Sequence, residues 1–377
     1  MKDLRHKNLA EVLVTHSCMI EKGDAVLISG TDVPVQMIEA VVESVYEAGG
    51  YPSVDYSFER IKRAILKGAG EESLRSTAEW ECERMKRMNA YIGIRGYANP
   101  KETSDLPPRS NQLYMKHLFD PVHRQIRVPG TKWVVLRYPT AAMAMMANSS
   151  TEEFEDYFYK VCTEVDYAGM ERAMEPARKF LENSGEVHIE GPGTDLRFSI
   201  KGIPAVPCFG RRNIPDGEIY TAPVKDSVQG ILSCNTESAY FGTTFKDVVL
   251  EFSNGKITRA EANDTGKINS VFDTDEGSRY IGEFAMGCNP HILNPMNETL
   301  FDEKIAGSFH FTPGSAYETA DNGNRSAIHW DMVYIQRPEY GGGTIRIDGL
   351  TIRENGVFVH EAFEGLNSEN LILGRRK

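Results

Sequence analysis

The sequence predicts an N-terminal α/β domain made of parallel βαβ units, followed by a C-terminal β-rich α+β domain. Three observations support this prediction. The chain has 377 residues, which is longer than one ordinary domain. Its first half alternates short apolar strands with amphipathic helical patterns, and its second half consists of short strands separated by turn residues. We therefore place one domain at residues 1–184 and a second at residues 185–377.

The spacing of the N-terminal elements predicts the parallel units. Asp32 is positioned to cap the helix that follows the first strand, with Pro34 in its first turn, and Gly49 and Gly50 end that helix. Two amphipathic patterns over residues 59–88 predict two further helices. The turn "SGTDVP" after the first strand has neither the GxGxxG nor the P-loop pattern, so a nucleotide site is not indicated. The predicted strands are residues 24–29, 51–56, 90–94 and 133–138.

A surface loop and a helical connector are predicted in the middle of the chain. Residues 97–111 are rich in Pro, Ser and Asn, which is typical of an exposed loop. A capping box at Ser150 and Glu153 opens a helical region that is expected to run to about Asn183, with a break near Tyr167 to Gly169. This connector would complete the first domain.

Hairpins are the main signal in the second half. Asn254-Gly255 and Asn355-Gly356 each stand between two alternating runs, and Asn-Gly is the strongest local signal for a two-residue hairpin turn. The second domain is therefore expected to be β-rich, and we find no internal repeat in it.

Composition and charge restrict the partners. Hydrophobic residues make up 41% of the chain and charged residues 25%, the usual balance of a globular protein with a substantial core. The formal net charge is -12, which argues against nucleic-acid binding through counterion release. No apolar stretch reaches the length of a membrane span, and the N-terminus has no signal-peptide pattern. We expect a cytoplasmic protein without a nucleic-acid or membrane partner.

The stretch "SAIHWDMVYI", residues 326–335, places a histidine and an aspartate inside an apolar, β-branched run. In a strand, residues two apart share a face, so His329 and Asp331 would point the same way and Trp330 the opposite way. An imidazole and a carboxylate on one face can converge on a cation. A hydrogen-bonded structural pair is the more common role of this pattern, so further ligands are required.

Three more residues of the second half have the chemistry of metal ligands. His310 lies in "GSFHFTPGSAY", Glu283 in "YIGEFAMGCNP" and Glu218 in "IPDGEIYTAP". A buried glutamate is costly unless it is paired or coordinated, although each of these residues taken singly is more simply a solvated strand end. Together with His329 and Asp331, they supply enough nitrogen and oxygen atoms for two divalent ions that share a bridging carboxylate.

Tyr317 follows His310 by seven residues, beyond Pro313-Gly314. Its phenol hydroxyl would be within reach of the same site. A core or interface position explains a tyrosine equally well, and residue type alone does not decide between these roles.

These motifs carry a resemblance to a known family. The series "NIPDGEIYTAP", "YIGEFAMGCNP", "FDEKIAGSFHFTPGSAY" and "NRSAIHWDMV", in this order and spacing, resembles the aminopeptidase T and PepS family of metal-dependent aminopeptidases. The segments "KGDAVLISG" and "EAVVESVYEAGGYPSVDY" resemble the N-terminal part of that family, and "AMEPARKFLENSGEVHIEGPGTDLRFSIKG" resembles its connector and first C-terminal hairpin. The resemblance extends over nearly the whole chain.

The resemblance implies a fold, an activity and a site. The implied fold is an N-terminal α/β domain with a C-terminal β-rich domain that carries the site, assembled as a homodimer. The implied activity is removal of N-terminal residues from peptides with two divalent ions per chain, zinc or cobalt first and magnesium or manganese next. Tyr317 is implied as the catalytic tyrosine, and Thr312-Pro313 departs from the expected family pattern in a way that bears on the substrate pocket more than on the metals. The implied metal ligands are Glu218, Glu283, His310, His329 and Asp331.

Two other functions are open at this point. Ring-cleaving dihydroxypyridine dioxygenases resemble the same family in fold, and their two-histidine, one-carboxylate iron(II) triad would be met here by His310, His329 and Asp331. A mononuclear iron site has no need of Glu218 and Glu283, so the two glutamates favour the peptidase. A non-catalytic metal-binding protein would leave the tyrosine of the site without a role.

Overall fold

The computed structural model describes residues 3–99, 101–240 and 242–374 of the chain. Its α-helices are α1 (Leu4–Glu11), α2 (Val35–Glu47), α3 (Glu59–Gly68), α4 (Glu71–Met85), α5 (Pro108–Tyr114), α6 (Val128–Gly130), α7 (Ala141–Met146), α8 (Thr151–Thr163), α9 (Tyr167–Glu182), α10 (Thr265–Phe272), α11 (Thr299–Asp302) and α12 (Ser368–Leu371). Helical turns of the wider π type cover Val12–Ser17 and Met115–Arg127.

The strands are β1 (Ala25–Thr31), β2 (Tyr51–Ser57), β3 (Ala90–Gly96), β4 (Lys132–Tyr138), β5 (Glu186–Gly191), β6 (Thr194–Ser199), β7 (Val206–Cys208), β8 (Asn213–Ile214), β9 (Glu218–Thr221), β10 (Gln229–Ser233), β11 (Ser238–Tyr240), β12 (Thr243–Phe245), β13 (Val249–Ser253), β14 (Lys256–Glu261), β15 (Ile281–Gly287), β16 (Ser308–Pro313), β17 (Met332–Ile335), β18 (Thr344–Ile347), β19 (Leu350–Glu354) and β20 (Val357–Phe358). Among the described residues, no helix has both the length and the apolar character needed to cross a membrane.

The chain folds as two compact units. The first comprises residues 1–163 and 210–214, and the second comprises residues 164–209 and 215–377. The first unit is α/β and the second is β-rich, which confirms the predicted fold class. Helix α9, the main part of the predicted connector, belongs to the second unit. The domain boundary between residues 184 and 185 stays a prediction.

The first unit is built on a five-stranded parallel sheet in the order β2-β1-β3-β4-β8. The prediction that Asp32 caps the second helix is wrong, because α2 begins one residue after Pro34. Asp32 instead adopts a left-handed backbone conformation, with φ of +52°, and its carboxylate accepts a hydrogen bond from the N–H of Glu59 at the start of α3. The side chain of Asp32 therefore bonds the start of α3 and not the start of α2.

Local capping chemistry explains where the middle of the chain is helical. The predicted loop at residues 97–111 is too long, because α5 begins at Pro108, a residue whose fixed φ suits the first helical turn; Pro100 lies outside the described residues. The connector is helical as predicted, but its break lies at residues 164–166, just before the predicted position, and residues 167–169 are the first turn of α9. Asp166 ends the break, since its carboxylate accepts the N–H of Gly169 at 2.7 Å and so caps α9.

Antiparallel strands dominate the second unit. An eight-stranded sheet runs in the order β14-β13-β10-β6-β5-β18-β19-β20, and a five-stranded sheet runs in the order β17-β16-β15-β9-β7. Both predicted hairpins are confirmed: Asn254-Gly255 joins β13 to β14, and Asn355-Gly356 joins β19 to β20. Each of these four residues has a φ between +49° and +81°, the left-handed geometry that Asn-Gly turns supply.

Trp330 is the centre of an aromatic cluster in the second unit. It is buried, and its ring stacks on Tyr240 with 4.6 Å between the ring centroids and 9° between the planes. Phe245 and Phe272 pack against the same ring, and the indole N–H donates to Ser238 Oγ at 2.7 Å. Trp330 is therefore held by both apolar packing and a satisfied polar group.

Trp330→Ala should lower the free energy of unfolding by about 3–5 kcal/mol, because it removes a large buried ring and leaves a cavity. The measurement is urea denaturation followed by circular dichroism. The matched control is Trp80→Ala, since Trp80 is 77% exposed and exposed substitutions usually stay within about 0.5 kcal/mol. Equal effects of the two substitutions would contradict the packing role of Trp330.

Candidate metal centre

Three of the predicted ligands come from neighbouring strands of the five-stranded sheet. Glu218 begins β9, Glu283 lies in β15 and His310 lies in β16, with β15 between the other two strands. The register places Gly287 opposite Glu218 and Ala285 opposite His310. All three side chains are buried. The interpretation of the two glutamates as solvated strand ends is therefore wrong.

His329 and Asp331 precede strand β17 rather than lie within it, so the prediction of a continuous strand here is wrong. His329 pairs with Gly314 in an isolated antiparallel bridge. The hydroxyl of Tyr240 bonds both backbone groups of His329 at 3.3 Å, accepting from its N–H and donating to its carbonyl, so these groups are not available to a neighbouring strand. The two side chains still meet, with His329 Nε2 lying 3.4 Å from Asp331 Oδ1.

Glu283 lies between two sets of ligands. Its Oε1 is 3.2 Å from His310 Nε2, and its Oε2 is 3.3 Å from His329 Nε2. The first ligand group consists of Glu218, Glu283 and His310, and the second consists of Glu283, His329 and Asp331. Within each group the candidate ligand atoms lie within 4.8 Å of one another. The structure thus brings all five predicted residues together in two groups that share Glu283.

Backbone carbonyls set the orientation of both imidazoles. His310 Nδ1 donates to the carbonyl of Glu303 at 3.1 Å, and His329 Nδ1 donates to the carbonyl of Ser315 at 2.8 Å. A carbonyl only accepts hydrogen bonds, so Nδ1 carries a proton on each ring. Nε2 is therefore the atom that each ring presents to the carboxylates, as in metal sites whose histidines are held by an outer hydrogen bond.

The charged groups of the cluster create an environment that attracts cations. Burial opposes protonation of His329, but Asp331 and Glu283 outweigh it and raise the pKa of His329 to about 9. Burial raises the pKa of Glu218. Burial also opposes ionisation of Glu283, yet its contacts with His310 and His329 prevail and lower the pKa of Glu283. Three carboxylates beside two imidazoles attract cations, either as protons or as metal ions.

The donor set matches what divalent metal ions bind. Imidazole nitrogens combined with carboxylate oxygens suit zinc and neighbouring transition metals. Glu218 Oε2 is buried and has no hydrogen-bond partner among the described residues, a costly state that a bound cation would relieve. Asp331 Oδ1 accepts a hydrogen bond from Thr312 Oγ1 at 2.7 Å. Thr312, which was expected from the resemblance to bear on the substrate pocket, thus contacts a candidate ligand.

Tyr317 lies beside the second ligand group. Its ring centroid is 4.7 Å from that of His329 and 5.7 Å from that of Tyr220. The side chain is 49% exposed, which excludes a core position. Burial of the hydroxyl end, together with the carboxylates of Glu283 and Asp331, raises the pKa of Tyr317. The hydroxyl therefore keeps its proton and can donate a hydrogen bond.

Sequence reasoning missed Lys304, which is fully buried beside the first ligand group. Its Nζ contacts Glu303 and lies 3.6 Å from Glu218 Oε1. The available signal was its place in "FDEKIAGSFH", a charged residue followed by the apolar and small residues that lead into His310. A third group of possible ligands, Cys208, Asp216 and Glu218, extends from the same glutamate.

Known proteins resemble this chain over most of its length. The family model described as thermophilic metalloprotease (M29) matches residues 2–358. Aminopeptidase T of Thermus thermophilus is 25% identical, with 91% of this chain and 94% of that protein covered. Aminopeptidase 2 of Geobacillus stearothermophilus is 30% identical, with 91% and 93% covered.

Two solved structures share the fold. Wild-type AmpT from Thermus thermophilus matches with a TM-score of 0.78 and 22% identity, covering 95% of this chain and 99% of that chain. The 2,5-dihydroxypyridine dioxygenase of Pseudomonas putida matches with a TM-score of 0.63 and 14% identity, covering 95% and 98%. The family match over nearly the whole sequence decides between the two activities. The chain belongs to the thermophilic metalloprotease (M29) family and is a metal-dependent aminopeptidase.

Proposed function

We propose that the protein removes N-terminal residues from peptides at a site that holds two divalent ions, one in each ligand group. The observation that carries this proposal is the position of Glu283, whose two oxygens face different imidazoles at 3.2 and 3.3 Å. A carboxylate shared in this way is the bridging arrangement of two-metal hydrolases. Mixed nitrogen and oxygen donors favour zinc or cobalt, with magnesium or manganese as the next candidates.

The residues of the chain have distinct roles in this proposal. When bound, the ions supply a Lewis acid for the scissile carbonyl and an activated water. His310 and His329 present Nε2 because the carbonyls of Glu303 and Ser315 hold their Nδ1 protons. Tyr317 donates a hydrogen bond to the carbonyl oxygen of the substrate as negative charge develops there, an interaction that strengthens in the transition state. The carboxylate-rich site suits the cationic amino terminus of a peptide.

The mononuclear iron alternative has less support. Among the described residues, His310, His329 and Asp331 do not by themselves form a group whose ligand atoms all lie within 4.8 Å. Two of the groups that do form contain Glu283, which a mononuclear triad would leave unused. The likeness to the dihydroxypyridine dioxygenase, at 14% identity, concerns the fold alone.

Metal analysis tests the two-ion proposal directly. The purified chain loaded with zinc or cobalt should retain about two equivalents after gel filtration, because two ligand groups are present. Removal of the metal with a chelator should abolish hydrolysis of aminoacyl-nitroanilides, and added zinc or cobalt should restore it. Elemental analysis by mass spectrometry gives the stoichiometry. A single equivalent of tightly held iron without peptidase activity would contradict the proposal and support the dioxygenase.

We also propose that the enzyme acts as a cytoplasmic homodimer on peptide substrates. The support is the resemblance of its motifs to the aminopeptidase T and PepS family. Light scattering coupled to size-exclusion chromatography should give twice the chain mass of 42.2 kDa. A mass of one chain at micromolar concentration would overturn the dimer.

A further inference from the structure

Lys304 is a buried cation for which the two ligand groups give no role. It follows α11 in the turn that leads to β16, and its side chain is fully buried. Its N–H donates to the carbonyl of Phe301 and its carbonyl accepts from the N–H of Asn289, both at 3.0 Å. Lysine is almost never fully buried unless acidic groups pair with it. The backbone bonds therefore fix the main chain at Lys304, and burial restricts the movement of its side chain.

Two carboxylates pair with Lys304. Its Nζ contacts Glu303 Oε1 and lies 3.6 Å from Glu218 Oε1. The other oxygen of Glu218, Oε2, lies 3.7 Å from His310 Nε2 and is without a hydrogen-bond partner among the described residues. The ammonium group thus forms an ion pair with one oxygen of Glu218, while the other oxygen faces His310 of the first ligand group.

The neighbouring residue supports the same group. The carbonyl of Glu303 accepts the Nδ1 proton of His310 at 3.1 Å. Residues 303 and 304 therefore orient two of the three side chains in the first ligand group. The second group has separate supports, since Ser315 holds His329 through its carbonyl and Thr312 holds Asp331 through its hydroxyl. A change at Lys304 should act on one group and spare the other.

We propose that Lys304 is a positioning residue for the metal centre, which orients Glu218 for the ion of the first group without acting on the second group. The inference rests on the proposed function, because it requires two ion positions. An ammonium group also repels a metal ion, but the contact with Glu303 neutralises much of its charge. We therefore expect the orientation of Glu218 to outweigh the repulsion between the ammonium group and the ion. Residues that hold a metal ligand in place without binding the metal contribute about 10–100-fold to metal affinity.

The test measures zinc affinity in two backgrounds that each keep one ligand group. Asp331→Asn disables the second group, and Glu218→Gln disables the first. In the Asp331→Asn background, Lys304→Met should weaken zinc binding at the remaining position about 10-fold or more. In the Glu218→Gln background, the same substitution should change the affinity by no more than about twofold, as expected for uncoupled sites. Competition with a chromogenic chelator gives the affinities.

Matched variants separate positioning from loss of structure. Thr312→Val should show the reverse selectivity, weakening zinc binding in the Glu218→Gln background and sparing it in the Asp331→Asn background. The pair Glu303→Gln with Lys304→Met removes one acid and one base, so it avoids a new unpaired charge if Lys304→Met alone does not fold. This double variant should weaken zinc binding in the first ligand group, as Lys304→Met does. Circular dichroism of each metal-free variant monitors the fold.

The zinc affinities distinguish failure of the proposed role of Lys304 from failure of the two-ion proposal. Equal weakening in both backgrounds, unchanged affinity in the Asp331→Asn background or tighter binding there would overturn the role of Lys304. A wild-type chain that binds fewer than two zinc ions would overturn the two-ion proposal and the inference with it. Two zinc ions in the wild type, with unaltered affinities in both Lys304 variants, would overturn the inference alone.

Discussion

Glu283→Gln should abolish aminopeptidase activity, with kcat/KM for aminoacyl-nitroanilides falling well beyond the roughly 100-fold loss that outer-shell changes cause. Glu283 is the residue common to both ligand groups, and each of its oxygens faces a different imidazole. Glutamine keeps the shape of the side chain but removes its charge, so the substitution weakens both ion positions at once. We therefore expect loss of bound metal together with loss of turnover.

A surface glutamate provides the control for this experiment. Glu354 lies in β19 of the eight-stranded sheet and is exposed, so Glu354→Gln should retain wild-type activity and metal content. Steady-state kinetics and elemental analysis on the same preparations distinguish loss of metal from loss of chemistry. Wild-type activity of the Glu283→Gln variant would contradict the proposal that Glu283 bridges two ions.

Tyr317→Phe should lower kcat about 100- to 1000-fold, the range observed when one hydrogen-bond donor to a developing oxyanion is removed. The ring of Tyr317 packs against His329 of the second ligand group, and its side chain is half-exposed. The hydroxyl keeps its proton because its pKa is raised. Since the ligands themselves are unchanged, two equivalents of metal should remain, and KM should change little. This pattern marks an interaction made only in the transition state.

The neighbouring tyrosine offers a matched control. The hydroxyl of Tyr220 is paired with Thr319 Oγ1 at 2.7 Å, so Tyr220→Phe removes a local hydrogen bond near Tyr317 without removing the proposed donor. We expect a small change in kcat and a loss of stability of about 1 kcal/mol. Loss of metal in Tyr317→Phe would instead make Tyr317 a ligand or a structural residue.

Local physical chemistry explains which structural features could be predicted. The Asn-Gly turns need only their own two residues to adopt left-handed conformations, and the helix break before α9 depends on a side chain that caps its own helix. Two of the errors occurred where a distant residue intervened. Asp32 bonds the start of α3 instead of its own helix, and the hydroxyl of Tyr240 bonds the backbone of His329, a residue that was expected to lie within a strand.

Some features of the candidate site could also be predicted from the sequence, and others could not. Residue type, together with the resemblance of the motifs to a known family, was enough to select Glu218, Glu283, His310, His329 and Asp331 as candidate ligands, because few side chains offer metal-binding nitrogen and oxygen atoms within apolar stretches. Their roles as ligands stay a proposal that the metal and mutation experiments test.

Only the tertiary structure decided how these residues are grouped. The pairing of β9, β15 and β16 assembles the first group, and the bridge between His329 and Gly314 places the second group on the other side of Glu283. The turn after α11 places Lys304 against Glu218. These contacts join segments from residue 218 to residue 331, and no periodicity within one segment specifies its register against another. The sequence by itself thus determined the chemistry available to the site, whereas long-range strand pairing decided which atoms meet.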